Sequence, residues 1–324
     1  MGLNIDSKLL EEFERNLEPR HPEECEIPAK VLGYGEISTV FEIGTDEQKD
    51  IAYKRMPIFN SAEELIEYEK IFNEYVRLLT DEVGLELPPY DYASFTSDTG
   101  RLVMFLAQKK LNPGAIGNKA IHVLPAGETV RLSRTVLREL KKVWLYNRKK
   151  GTYEIGIDGQ ISNWFIKDFD AGDTQLPDEI ELVYFDTSTP LFRADGVEQL
   201  DPELFLRSAP SFMVWLIRWL FLEDVMTRYY DFRLVAIDLV GNFYKEQLPE
   251  LIPDLVGMVN DFFSGEAVEL GIEPITEKDV KSYYREDALI WTLYLSMRKI
   301  DRFLHTRILR KEYPYILPGK IKRF

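Results

Sequence analysis

The sequence predicts an α+β fold in two lobes, divided at 107/108, with five antiparallel strands and one helix in the N-terminal lobe (residues 1–107) and a mainly helical C-terminal lobe (108–324). Three observations predict it. Short alternating apolar runs crowd the first hundred residues, one stretch of helical period interrupts them, and beyond about residue 200 helical spacing dominates.

The elements follow in order. Residues 7–16 form a short amphipathic helix. Residues 28–43 alternate about a glycine-containing turn, the pattern of a hairpin, and 50–56 supply a third strand. Ser61-Ala62-Glu63-Glu64 is a capping box, with Ser61 as N-cap and Glu64 at N3. The helix it opens runs to about Leu79, with Leu65, Tyr68, Phe72, Tyr75, Val76 and Leu79 on one face. Pro88-Pro89 precedes strands near 91–96 and 101–106. A loop rich in Gly, Pro and Asn covers 109–126, and a long helix follows from about 128 to 149. Strands are expected at 153–157, 161–166 and 180–185, the last two joined by an acidic turn-rich link. Helices are expected at 201–207, 211–229, 231–247, 249–264 and about 276–310.

Composition narrows the function classes. A formal charge of −15 argues against nucleic acid as a partner, because neutralising phosphates needs a dense basic surface. The balance reverses in 298–323, where nine Lys/Arg face only Asp301 and Glu312, so this tail either touches an anionic partner or offsets the acidic body. Cys25 is the sole cysteine, which excludes an intrachain disulfide and fits a reducing cytoplasm. Met1–Ser7 lacks the pattern of a signal peptide, and Asp6 spoils a myristoylation match. The apolar run Phe212–Leu222 is too short to span a bilayer and carries Arg218, so a buried helix is expected. The three histidines, His21, His122 and His305, lie far apart, and no zinc-binding spacing exists.

Four motifs carry chemistry. Gly33-Tyr34-Gly35-Glu36-Ile37-Ser38-Thr39-Val40 fits G-x-G-x-x-G-x-V with Ser38 at the third glycine position. Glycines there let backbone N–H groups approach phosphate oxygens, and the hairpin setting disfavours a dinucleotide fold. Lys54, in Ile51-Ala52-Tyr53-Lys54, interrupts an apolar strand, where a charge needs a partner. Asp158 and Asn163 stand five apart in Gly156–Phe165, a carboxylate able to take a hydroxyl proton followed by an amide oxygen able to hold a metal. Leu182-Val183-Tyr184-Phe185-Asp186 is an apolar strand ending in a carboxylate that can bridge Mg²⁺ to phosphates.

In that order, each on its expected element, these motifs resemble the protein kinase-like superfamily over roughly residues 28–245. The pattern is similar to the aminoglycoside phosphotransferase and choline kinase branch, or to RIO-like kinases. The resemblance implies ATP and Mg²⁺ bound between the lobes. Gly33, Gly35, Ser38 and Val40 would cover the phosphates, and Lys54 would position them. Glu74, or failing it Glu67, would pair with Lys54. Backbone in Phe105–Lys109, including Ala107 and Gln108, would meet the adenine. Asn163 and Asp186 would hold the metal, and Asp158 would orient the acceptor hydroxyl.

Several positions depart from the pattern. Gly156 replaces a histidine, Gln160 stands where a lysine or histidine is usual, and Asp186-Thr187-Ser188 replaces D-F-G with no A-P-E after it. These changes leave two live readings: a phosphotransferase acting on a small-molecule or atypical hydroxyl acceptor, and a pseudokinase that binds nucleotide without transfer. A plain scaffold is the weakest alternative. Tyr229-Tyr230-Asp231-Phe232-Arg233 is expected either to pack helices or to wall an acceptor site.

Overall fold

A computed structural model describes residues 3–35, 38–44, 46–97, 100–206, 227–310 and 313–318, without the side chains of Phe205 and Leu206. The expected helix at 211–229 and the apolar run Phe212–Leu222 therefore lie almost wholly outside the described residues.

The N-terminal elements are α1 (Ser7–Asn16), β1 (Ala29–Tyr34), β2 (Thr39–Ile43), β3 (Ile51–Phe59), α2 (Ala62–Arg77), β4 (Tyr90–Thr96) and β5 (Leu102–Lys109). The five strands form one antiparallel sheet in the order β1-β2-β3-β5-β4. Successive side chains alternate between its faces, and the two faces have different covers. On the outer face α1 lays Leu10 and Phe13, with Leu17 just beyond its end, against Phe41, Tyr53, Val103, Phe105 and Ala107. On the inner face α2 packs Leu65, Tyr68, Phe72 and Tyr75 against Met56, Met104 and Leu106, in a core that continues without a break into the helical part of the chain.

Ser61 caps α2 as expected, its Oγ accepting from the Glu64 N–H at 3.3 Å. Glu64 reaches back one residue further, to the Asn60 N–H at 2.8 Å. The helix unwinds into a wider turn at Leu78–Val83 and stops at Gly84, whose φ of 80° suits glycine.

Next come α3 (Gly117–Ala120), α4 (Ala126–Asn147), β6 (Tyr153–Ile155), β7 (Trp164–Ile166) and β8 (Leu182–Tyr184), with β7 and β8 paired antiparallel. A short hairpin of β9 (Phe192–Ala194) and β10 (Val197–Glu198) joins β6 in a small sheet. Sequence reading gave no strand here, although Asp195-Gly196, with φ of 50° and 79°, is a strong hairpin signal. The described residues from 203 to 303 are mainly helical: α5 (Glu203–Leu206), α6 (Phe232–Lys245), α7 (Ile252–Ser264) and α8 (Glu277–Phe303), which Thr276 and Asp279 open with a reciprocal cap.

Residues 313–318 fold back onto the outer face of the sheet. Pro314 O accepts from Arg55 Nη1 at 2.8 Å, and Ile316 joins the outer core. The basic stretch at 298–323 is not a uniform solvated tail, because Arg298 is buried between the rings of Tyr294 and Tyr315. No helix among the described residues is long and apolar enough to cross a membrane.

Candidate functional site

Sheet register assembles the first half of the site. Gly33 pairs with Val40, Val40 with Lys54, and Lys54 with Leu106. Partners across a sheet point to the same face, so Gly33, Val40 and Lys54 form one row facing inward. Gln108, two residues from Leu106, shares that face and donates from Nε2 to Phe185 O at 3.0 Å. The two glycines serve different ends. A Cβ on Gly35 would meet Ser38 Oγ at 2.5 Å, and the Gly35 N–H donates to Ser38 O at 3.0 Å. A Cβ on Gly33 would meet nothing within 4 Å, so folding does not demand that glycine.

Lys54 Nζ donates to Asp186 Oδ1 at 2.8 Å, across 132 residues of sequence, and also to Ser188 Oγ. Ser188 Oγ in turn donates to Asp186 Oδ1 at 3.1 Å. Burial pushes the Asp186 carboxyl up, but the charge of Lys54 and the hydrogen bonds from Lys54 and Ser188 outweigh it and hold the group below its usual range.

Asp158 lies on the loop after β6. Its Oδ1 accepts from the Gln160 N–H at 3.1 Å, and its carbonyl accepts from Asn163 Nδ2 at 3.2 Å. With the amide nitrogen so engaged, the Asn163 carbonyl oxygen is the end left for a cation. Burial, and then the charge of Asp186, push the Asp158 carboxyl up. A carboxylate held in its ionised form and an amide oxygen are the donor chemistry that a hard cation such as Mg²⁺ takes. Asn163 and Asp186 fit that role, with the Phe185 N–H to Asn163 O bond of 3.1 Å tying their two loops together. Elsewhere among the described residues, His21, Glu23 and Glu24 bring ligand atoms within 4.8 Å of one another, but all three are exposed on the segment before β1.

Gly156 replaces the expected histidine for a packing reason. A Cβ there would meet the Tyr230 ring at 3.1 Å, and Tyr75 OH donates to Gly156 O at 3.0 Å. Tyr230 is fixed by its hydroxyl on Glu198 at 2.9 Å and by Arg193 over its ring. Of its neighbours, Asp231 caps α6, Phe232 stacks on Trp144, and Arg233 binds Pro274 O and Asp279. The aromatic cluster thus packs elements together.

Two expectations fail. Glu74 binds Arg77, at 2.9 Å, and not Lys54, while Glu67 is exposed and paired with Lys70. The cause is helix rotation: the face of α2 turned to the sheet carries Tyr68, Phe72 and Tyr75, and Glu74 sits about 100° round from Tyr75. The second is the adenine edge. Ala107 pairs with Tyr53 on one side and Asp91 on the other, and its side chain lies in the outer core. Lys109 N–H goes to Pro89 O and Lys110 N–H to Asp50 O, so the sheet takes up this backbone.

Three residues escaped sequence reading. Ser188 closes the lysine–carboxylate triangle. Asp238 of α6 accepts from Gln160 Nε2 at 3.1 Å, and Lys245 Nζ lies 3.4 Å from Gln160 Oε1. The Asp238 carboxyl is pushed up by burial and then by the charges of Asp158 and Asp287. A lone acid inside Leu234-Val235-Ala236-Ile237-Asp238-Leu239-Val240 was the available signal.

A family of unknown function (DUF6206) matches residues 20–302, and the chain belongs to that family. No curated protein matches. Among solved structures, one described as WaaP in complex with acyl carrier protein shares 15% identity. The match covers 75% of this chain and 89% of that one, with a TM-score of 0.32. So loose a superposition carries no argument.

Proposed function

We propose that this member of the DUF6206 family is an ATP- and Mg²⁺-dependent phosphotransferase of protein kinase-like fold, acting on a small-molecule or atypical hydroxyl acceptor. The observation that carries the reading is the Lys54–Asp186 contact at 2.8 Å, which joins the inward row of the sheet to the loop after β8, itself tied to the Asp158–Asn163 loop by the Phe185 N–H to Asn163 O bond of 3.1 Å. Gly33 supports it, because its missing side chain leaves open space beside that row.

Asn163 and Asp186 would hold Mg²⁺, which supplies charge neutralisation on the phosphates. Lys54 would turn from Asp186 to the phosphate oxygens. Asp158 would orient the acceptor hydroxyl and take its proton as the acceptor oxygen bonds to the γ-phosphorus and the bond to the β-phosphate oxygen breaks. Catalysis on this scheme is positioning and charge stabilisation. Adenine would find its backbone partners beyond Lys110, where the sheet ends.

Thermal unfolding with MgATP tests the reading. Ligand at about 100 times its dissociation constant adds about 2.7 kcal/mol. An unmoved transition at millimolar MgATP overturns it. A second reading, nucleotide binding without transfer, is favoured by Gly156, where a side chain in the place of the usual histidine would meet the Tyr230 ring at 3.1 Å. Binding without phosphate transfer to water, to the protein itself or to a metabolite extract selects that reading.

A further inference from the structure

We propose that Ser188 is the positioning residue for Lys54, held in place by Tyr68 of α2, and that this pair takes over the task the sequence assigned to a glutamate on that helix. The inference rests on the nucleotide reading given above.

A lysine ammonium has three donors. In this chain one goes to Asp186 Oδ1 and another to Ser188 Oγ. The Asp186 contact cannot persist unchanged once that carboxylate serves a cation, because Lys54 and the metal then compete for the same oxygen. Ser188 Oγ is a neutral acceptor that a metal does not take from the lysine in the same way. A hydroxyl can also accept from one group while donating to another. Ser188 does both, accepting from Lys54 and donating to Asp186 at 3.1 Å.

The serine is itself fixed. It is buried, and its carbonyl accepts from Tyr68 OH at 2.7 Å. Tyr68 is buried as well, with its hydroxyl 3.8 Å from the sulfur of Met56, two residues beyond Lys54 on β3. Thr187, next to Ser188, is tied through Oγ1 to Gln108 Nε2 at 3.4 Å. The position of α2 is thus transmitted to Lys54 through a tyrosine, a backbone carbonyl and a serine hydroxyl. No acidic side chain of the helix takes part. Glu74 and Glu67 are paired with Arg77 and Lys70.

The experiment uses the full chain and three variants, Ser188→Ala, Ser188→Thr and Tyr68→Phe, each checked for parental circular dichroism. Two quantities are read. One is the rate at which a small amine-reactive ester acylates Lys54 without nucleotide, followed by peptide mass spectrometry. The other is the dissociation constant of MgATP by calorimetry.

Ser188→Ala should speed acylation of Lys54 several-fold and weaken MgATP about tenfold, the equivalent of about 1.4 kcal/mol. Ser188→Thr should restore both, and Tyr68→Phe should shift both in the direction of Ser188→Ala by less. Parental values of both quantities in Ser188→Ala overturn the inference. So does a loss that threonine fails to restore, since that assigns the effect to packing. If the parent does not bind MgATP while Ser188→Ala still exposes Lys54, the nucleotide reading falls and the positioning contact stands.

Discussion

Lys54 and Arg55 are neighbours on β3 and point to opposite faces of one sheet, and each binds a carboxylate far away in sequence. Arg55 meets Glu14 of α1 in a two-pronged contact, 2.6 Å on each prong, with side-chain exposures of 2% and 5%. Its remaining arm is satisfied by Pro314 O. Lys54 meets Asp186 through a single oxygen, with exposures of 21% and 30%. The same pairing of charges therefore does two things. The outer pair is sealed, geometrically complete and part of the fold. The inner one is open to water, shares its acceptor with a serine, and is free to exchange partners. Burial and donor count, more than charge, separate a structural ion pair from one available to a ligand.

The sharpest way to break that contrast is to remove one partner from each pair. Arg55→Met leaves Glu14 buried without its cation, and such losses cost about 3–5 kcal/mol. The variant should show a large fall in the urea midpoint, whereas Lys54→Met should change the midpoint little. Equal shifts would dissolve the distinction.

On the inner side the largest functional effect belongs to Asp158. Asp158→Asn should lower transfer by about 10²–10⁴-fold with ATP affinity nearly unchanged, measured by phosphate release or product formation beside calorimetry. A parent without turnover, and a variant identical to it, would select the binding-only reading.

A smaller and graded effect separates the metal donors. Asp186→Ala should weaken Mg²⁺-dependent nucleotide binding more than Asn163→Ala, since a carboxylate brings full charge to a hard cation and an amide only a dipole. Mg²⁺ titrations at fixed ATP read the order directly, and an inverted order would reassign the donors.

The smallest expected effect is on pH dependence. Asp238 has its carboxyl pushed up by burial and by Asp158, so the fold favours its protonated form. The native state then binds more protons than the unfolded chain, and this group's contribution to stability falls as pH rises above about 4. Asp238→Asn can still accept from Gln160 and should remove that slope, gaining on the parent in melting temperature from acid towards alkaline pH. Parallel curves would show that the acid is not strained.

Much of this was legible in the sequence, and the failures have definite causes. The strands of the five-stranded sheet, the α2 cap and the order of Lys54, Asp158, Asn163 and Asp186 followed from period and motif, because these are local properties of the chain. Glu74 was misjudged because a motif fixes position along a helix but not rotation about it, and Tyr68, Phe72 and Tyr75 set the rotation by burying their rings. Ala107 was misjudged because β5 is paired on both edges, a fact of sheet order that no single strand reveals. Gly156 departs from the motif because the ring of Tyr230 occupies the space a side chain would need, a contact no local pattern reveals. Ser188 and Asp238 gave weak signals, since their meaning depends on partners 134 and 78 residues away.

The contact between Arg55 and Pro314 spans 259 residues, and this carries a consequence for synthesis on the ribosome. Glu14 and Arg55 leave the exit tunnel early and can meet at once, but the third arm of the guanidinium waits for the carbonyl that completes it. At about 5–20 residues per second that interval is roughly 10–50 s. Throughout it, the outer face of the nascent sheet lacks Ile316, and its edge of apolar surface stands open to chaperones. The outer seal is therefore a late event in the life of the chain, closed only after the loops bearing Asp158 and Asp186 have been made.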